Sequence, residues 1–163
     1  MIRALKINSY KHGFTLIELV IVLIVMSIVA VFIASRASIG GNDLIAETDT
    51  LKSSLRYAQT RAMNDSEPWG IHIPNASSYV LYRNNAVDTR QMLPGEKTGA
   101  AQTHTLPSTV TITSGMGTTY NFNEWGTPVD ASGVAVAANQ SITLSDGAAT
   151  SAISIVKNTG FIP

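Results

Sequence analysis

Lys11-His12-Gly13-Phe14-Thr15-Leu16-Ile17-Glu18 opens a run of 21 residues, Phe14 to Ala34, in which Glu18 carries the only charge. Leucine, isoleucine and valine dominate that run. A helix rising about 1.5 Å per residue crosses a hydrocarbon layer of about 30 Å with some 20 such residues. Inside lipid a helix satisfies its backbone groups locally, so the many β-branched residues are tolerated. Arg3, Lys6 and Lys11 precede the run without an acid, and Arg36 alone follows closely. This basic excess predicts a cytoplasmic N-terminus, with the chain beyond Arg36 on the far side.

Glu18 does not suit a plain anchor. An acid in a membrane helix costs about 2.5 kcal/mol or more at the centre and less near an end. It is either an interfacial acid reaching to headgroups or one half of a charge pair. The run contains no Lys or Arg, so a partner has to come from another chain or from a newly made N-terminal amine. A cleavable secretory signal is the rival reading. Ser35-Arg36-Ala37 is a poor small-x-small site for it, and Phe32 spoils cleavage after Ala34.

A basic leader, Gly13 before Phe14, and an acid four residues further on resemble the prepilin-peptidase signal of type IV pilins and type II secretion pseudopilins. The resemblance implies cleavage between Gly13 and Phe14 on the cytoplasmic side and N-methylation of Phe14. It implies that the apolar run is kept, first in the inner membrane and then as the core of a helical filament. It also implies that Glu18 pairs with the Phe14 amine of a neighbouring subunit, setting register more than adding stability. The implied partners are a prepilin peptidase/methyltransferase, other pilin or pseudopilin subunits and, before assembly, inner-membrane lipid. The implied location is a single-pass inner-membrane protein with a periplasmic head, later part of a pilus or pseudopilus.

The chain has 11 basic and 11 acidic residues, and loss of residues 1–13 would leave 8 against 11. A slightly acidic head does not suit electrostatic capture of nucleic acid, which needs clustered Lys and Arg. Cysteine is absent, so there is neither a disulfide framework nor a thiolate metal site. Roughly 125 residues follow the run, enough for one modest domain with its own core.

Gly40-Gly41 reads as a break, with Asn42 or Asp43 capping a new helix. Leu44, Ile45, Leu51, Leu55, Ala58 and Ala62 then recur at helical spacing. Pro68 ends that pattern and the period changes to two. Strands are expected at Trp69–Ile73, Ser78–Tyr82, Thr109–Thr113, Thr119–Asn123, Ser141–Leu144 and Ala152–Val156, with a turn at Asn75-Ala76-Ser77 and a long loop over Asn84–Thr103. The fold class is α+β: a long hydrophobic helix continuing into an amphipathic helix that packs on an antiparallel sheet. The expected divisions are a leader over 1–13, a transmembrane and filament-core helix over 14–39, and a head over 42–163.

Three head segments resemble the H-type minor pseudopilins and the related FimT minor pilins: Arg56–Ala62, Tyr120–Pro128 with its Phe122, Gly126 and Pro128, and Ile153–Ile162 with Gly160. Two departures stand out. Ser35 occupies the place of a helix-kinking proline found in many major pilins. The Arg-rich C-terminal segment that some FimT-like pilins use for DNA is missing, so DNA is not an expected partner.

No catalytic constellation, metal site or cofactor is expected, and the chain reads as a structural subunit and not an enzyme. His72 reads as a solvent-facing or edge histidine, opposite Ile71 and Ile73. His104 has no acidic neighbour in sequence. Asp130 and Asp146 are the only calcium candidates, without a dense run of oxygen ligands. Trp69, Tyr79, Tyr82 and Trp125 read as core or strand-face aromatics. The alternative function is a minor pilin whose head binds DNA, a surface or a secreted substrate, with the Asn84–Thr103 loop as its natural place.

Overall fold

The computed structural model describes residues 15–36, 40–84, 90–96 and 102–163. The leader, Gly13, Phe14 and the 37–39 junction lie outside the described residues. So does the continuity expected between the two helices. The chain divides into two compact units, Met1–Ser38 and Ile39–Pro163.

In the first unit, α1 spans Leu16–Arg36. Thr15 caps it: its Oγ1 accepts the Glu18 N–H at 3.3 Å and its carbonyl accepts the Leu19 N–H at 3.2 Å. Thr15-Leu16-Ile17-Glu18 thus has the spacing of a capping box, with the acid in the first turn where the helix dipole favours it. Side chains from 15 to 31 are exposed on every face, including Leu16, Ile21, Ile24 and Ile28. A helix apolar all round has no use for water and needs lipid or other helices. Among the described residues no helix is long and apolar enough to cross a membrane; the described side chains of α1 stop at Val31, while its backbone continues to Arg36.

The second unit is an α+β head. Its helix, α2, spans Gly40–Met63. The expected break at Gly40-Gly41 is therefore corrected, since both glycines lie in the first turn. Packing at Leu44 and the bond from Thr109 Oγ1 to Asp43 Oδ2, 2.8 Å, fix this end and outweigh the weak glycine propensity. Leu44, Leu51, Leu55, Ala58 and Ala62 form the buried stripe. Ile45 is exposed, contrary to expectation. Thr48 takes its place on the stripe, with its hydroxyl satisfied by the Leu44 carbonyl at 2.7 Å.

Among the described residues nine strands follow: β1 Trp69–Asn75, β2 Ser78–Arg83, β3 Arg90–Gln91, β4 Thr103–Thr105, β5 Thr111–Ser114, β6 Thr119–Phe122, β7 Pro128–Val129, β8 Gln140–Ser145 and β9 Thr150–Ile155. One sheet has the order β3-β2-β1-β6-β7, with β4 also on β2, and the other is β5-β8-β9. All named pairings are antiparallel. The Asn75 carboxamide holds the β1–β2 turn by accepting from Ser77 and Ser78. The expected Asn84–Thr103 loop contains β3 and ends in β4. Both are too short to show alternation, and both pair with β2. β7 was likewise unmarked in the sequence.

Both sheets close over the α2 stripe. Ile71, Ile73, Phe122, Ile142, Leu144, Ile153 and Ile155 join Leu51 and Leu55 in one core. Each large aliphatic side chain fully removed from water contributes about 1.5–3 kcal/mol. Every member of this core lies between Leu44 and Ile162, so the head has a self-contained reason to fold.

Candidate functional site

The three head segments that resemble H-type pseudopilins meet at one place. On α2, Ala58 and Ala62 face the core, which leaves Arg56 and Gln59 free to reach the other two segments. Arg56 Nη2 donates to the Ile162 carbonyl at 2.8 Å. Gln59 Nε2 donates to the carbonyls of Gly126 at 2.8 Å, Gly160 at 3.2 Å and Thr159 at 3.3 Å. Gly126 closes a turn in which the Asn123 carboxamide accepts the N–H groups of Trp125 and Thr127. The C-terminal turn is closed by Gly160 N–H to the Val156 carbonyl at 2.8 Å and Val156 N–H to the Phe161 carbonyl at 3.0 Å.

Gly160 needs to be glycine for two reasons. Its φ is +64°, and an added Cβ would stand 2.1 Å from the Gly126 carbonyl oxygen. The two turns are therefore in backbone contact, with Gln59 bridging them. Replacing Gln59 by alanine removes the donor shared by three carbonyls. We expect a loss of about 1–3 kcal/mol and faster hydrogen exchange at Gly160 and Phe161 than elsewhere in the head. Exchange protection unchanged at those two amides would refute the bridge.

This node presents apolar side chains to solvent. Trp125 is 78% exposed, Phe161 62% and Met63 57%. The expectation that Trp125 is a core or strand-face aromatic is thus wrong: it sits at the tip of the Asn123–Thr127 turn. Trp69, Tyr79 and Tyr82 are buried as expected. Alternation could not reveal Trp125, because it lies in a turn where no period applies.

Histidines missed by sequence spacing have partners in the fold. His104, on β4, places Nε2 3.0 Å from Glu47 of α2 and Nδ1 2.5 Å from Glu96. Its ring stacks on Tyr79, centroids 4.6 Å apart. Tyr79 in turn meets Ser54 at 3.4 Å, and burial pushes its phenol well above the usual range. The histidine ties the long excursion after β2 to the start of α2. His72 lies on β1, a central strand, so of its two readings the edge position is corrected, while the ring is half-buried on the face opposite the buried Ile71 and Ile73. It bonds Thr119 Oγ1 at 2.9 Å and stacks on Tyr82. Burial, with the Arg90 charge adding to it, holds its imidazole below the usual range.

The calcium candidates are not brought together. Asp130 accepts the N–H groups of Ser132 and Val134, and Asp146 those of Ala148 and Ala149. The backbone bonds to Ala149 and Ala148 hold the Asp146 carboxyl below its usual range. Each carboxylate serves its own turn, and among the described residues no three His, Cys, Asp or Glu side chains form a metal-sized group. Of the expected processing and assembly residues, Gly13 and Phe14 lie outside the described residues. Glu18 stands exposed at the start of α1.

Comparison with known proteins agrees with this convergence of segments. Residues 8–34 match the prokaryotic N-terminal methylation motif, and residues 47–160 match the Type II transport protein GspH family. No curated protein and no solved structure matches the chain. The second match runs from α2 through the closing Gly160 turn, the same elements that Arg56 and Gln59 draw together. The chain belongs to the GspH family and is a prepilin-type minor pseudopilin subunit of the type II secretion system.

Proposed function

We propose that the chain is made as a precursor, cut between Gly13 and Phe14 by a prepilin peptidase, and methylated on the new Phe14 amine. The observation that carries this reading is the methylation-motif match over 8–34, which brackets both residues and Glu18. Before assembly α1 holds the subunit in the inner membrane, N-terminus cytoplasmic and head periplasmic. Its 21 residues amount to about 31 Å at helical rise, and the exposed apolar side chains from Leu16 to Val31 support the same role. During assembly α1 exchanges lipid for the helices of other pseudopilins, and Glu18 pairs with the Phe14 amine of its neighbour. The mechanism is mechanical, with no chemistry performed by the head.

Mass spectrometry of the protein recovered from bacterial membranes tests the proposal. The expected N-terminal peptide begins at methylated Phe14. An N-terminus at Met1, or one beyond Ala34, overturns it. The alternative of a head that binds DNA is less well supported: among the described residues Arg56 donates to the Ile162 carbonyl, Arg83 pairs with Asp65, Lys157 donates to the Ala137 carbonyl and Arg61 lies over the Trp69 ring.

A further inference from the structure

The end of α2 carries an arrangement that the packing of the head does not use. Trp69 Nε1 donates to Asp65 Oδ2 at 3.1 Å, the Arg61 guanidinium lies 4.8 Å over the Trp69 ring, and Arg83 pairs with Asp65 at 3.0 Å. This is a complete set of indole, carboxylate and guanidinium. Beside it, Glu124 and Trp125 supply a second indole and a second carboxylate. Both are exposed, and among the described residues no cation accompanies them. Met63, Asp65, Glu124 and Trp125 line a shallow cleft of about 560 Å³. Met63, the last residue of α2, is part of the lining, and there the helix dipole adds partial negative charge beside the basic Arg61 of the last turn.

We propose that this cleft is a docking site for an arginine side chain, flanked by apolar residues, on another protein subunit of the assembly. A guanidinium is planar: it stacks on the indole of Trp125 and at the same time donates to the Glu124 carboxylate. Met63 supplies apolar surface beside it. The Asn123 carboxamide fixes the Trp125 turn, so the indole is presented with little ordering cost on binding. Exposed aromatics held in this way are the residues that dominate subunit interfaces. Charge complementarity favours a basic partner over a neutral one. Asp65 already has Arg83 as its counter-charge, so the carboxylate that a carbohydrate would leave without one is that of Glu124. The inference rests on the chain being an assembly subunit.

The isolated head, Ile39–Pro163, is suited to the test because its core is self-contained. The probe is the peptide acetyl-Leu-Arg-Leu-amide, titrated into ¹⁵N-labelled head while the Trp125 indole N–H and the Glu124 and Thr127 amides are followed by NMR. Saturable shifts confined to these groups are expected. Glu124→Gln should weaken the binding about two- to fivefold, the scale of an exposed charge contact. Rising salt should do the same. Trp125→Ala, at an exposed position that leaves folding intact, should remove saturation at Glu124 and Thr127. Equal shifts with acetyl-Leu-Glu-Leu-amide, shifts with maltotriose instead of the peptide, or no shifts at all would each overturn the docking site. None of these outcomes touches the mature N-terminus, so failure here is distinct from failure of the processing proposal.

Discussion

Gly70→Val destabilises the head by at least about 3 kcal/mol and lowers its melting temperature by roughly 10 °C or more. Gly70 lies in β1, with Tyr82 of β2 opposite on one side and Asn121 of β6 on the other. A Cβ there would stand 2.3 Å from Asn121 Oδ1, 2.6 Å from the Tyr120 carbonyl oxygen and 2.9 Å from Asn121 Cα. Two of those three atoms are backbone. β6 cannot retreat, because Tyr120 and Phe122 are buried in the core on the other face of the same strand. The strain therefore spreads into the ladder at the middle of the larger sheet. Ala152→Val, on an exposed position of β9, is the control and shifts the melting temperature by no more than about 2 °C. Thermal unfolding of the two head variants followed by circular dichroism decides the matter. A Gly70→Val head that melts with the wild type would mean that β1 and β6 are not in the register described.

Glu18→Val, in the full chain, yields cleaved and methylated subunit but lowers its incorporation into the pseudopilus by at least about a hundredfold. Removing one partner from a buried charge pair costs about 3–5 kcal/mol, because the remaining charge is left unpaired. The capping geometry of Thr15 raises a competing explanation, in which Glu18 merely stabilises the first turn of α1. Glu18→Gln separates the two. A glutamine at this position still serves a capping box but carries no charge, so it fails like valine if pairing with the Phe14 amine is the role. Wild-type incorporation of Glu18→Gln would reduce Glu18 to a local helix cap. The amount of each variant in sheared or purified pseudopili, relative to its mature form in membranes, is the measurement.

The parts of this protein that were legible in sequence are those governed by period. The apolar run, the α2 stripe from Leu44 to Ala62 and the longer strands follow from spacing alone. Ile45 was misplaced because a threonine can occupy a buried helical position once its hydroxyl bonds the preceding turn, as Thr48 does. β3, β4 and β7 were not legible, since two or three residues carry no period. Long-range polar partners were not legible either. His104 is flanked by Glu47 and Glu96, one of them 57 positions away, and no local rule marks that pair. The Arg56 and Gln59 contacts span more than 60 positions. Their segments were visible as resemblances, but the carbonyls they hold appear only in the folded chain. Trp125 was misjudged because aromatic residues usually go inside, whereas its turn, fixed by Asn123, faces water.

The tie between α2 and the last residues sets how the head carries load. A pull on the C-terminal tail meets the Arg56 bond to Ile162 and the Gln59 bonds to Thr159 and Gly160 before it reaches β9. These bonds hand the force to the side of a helix, while the β8–β9 ladder stays out of the force path. A bulky tag fused after Pro163 would therefore tug on a helix-anchored tether.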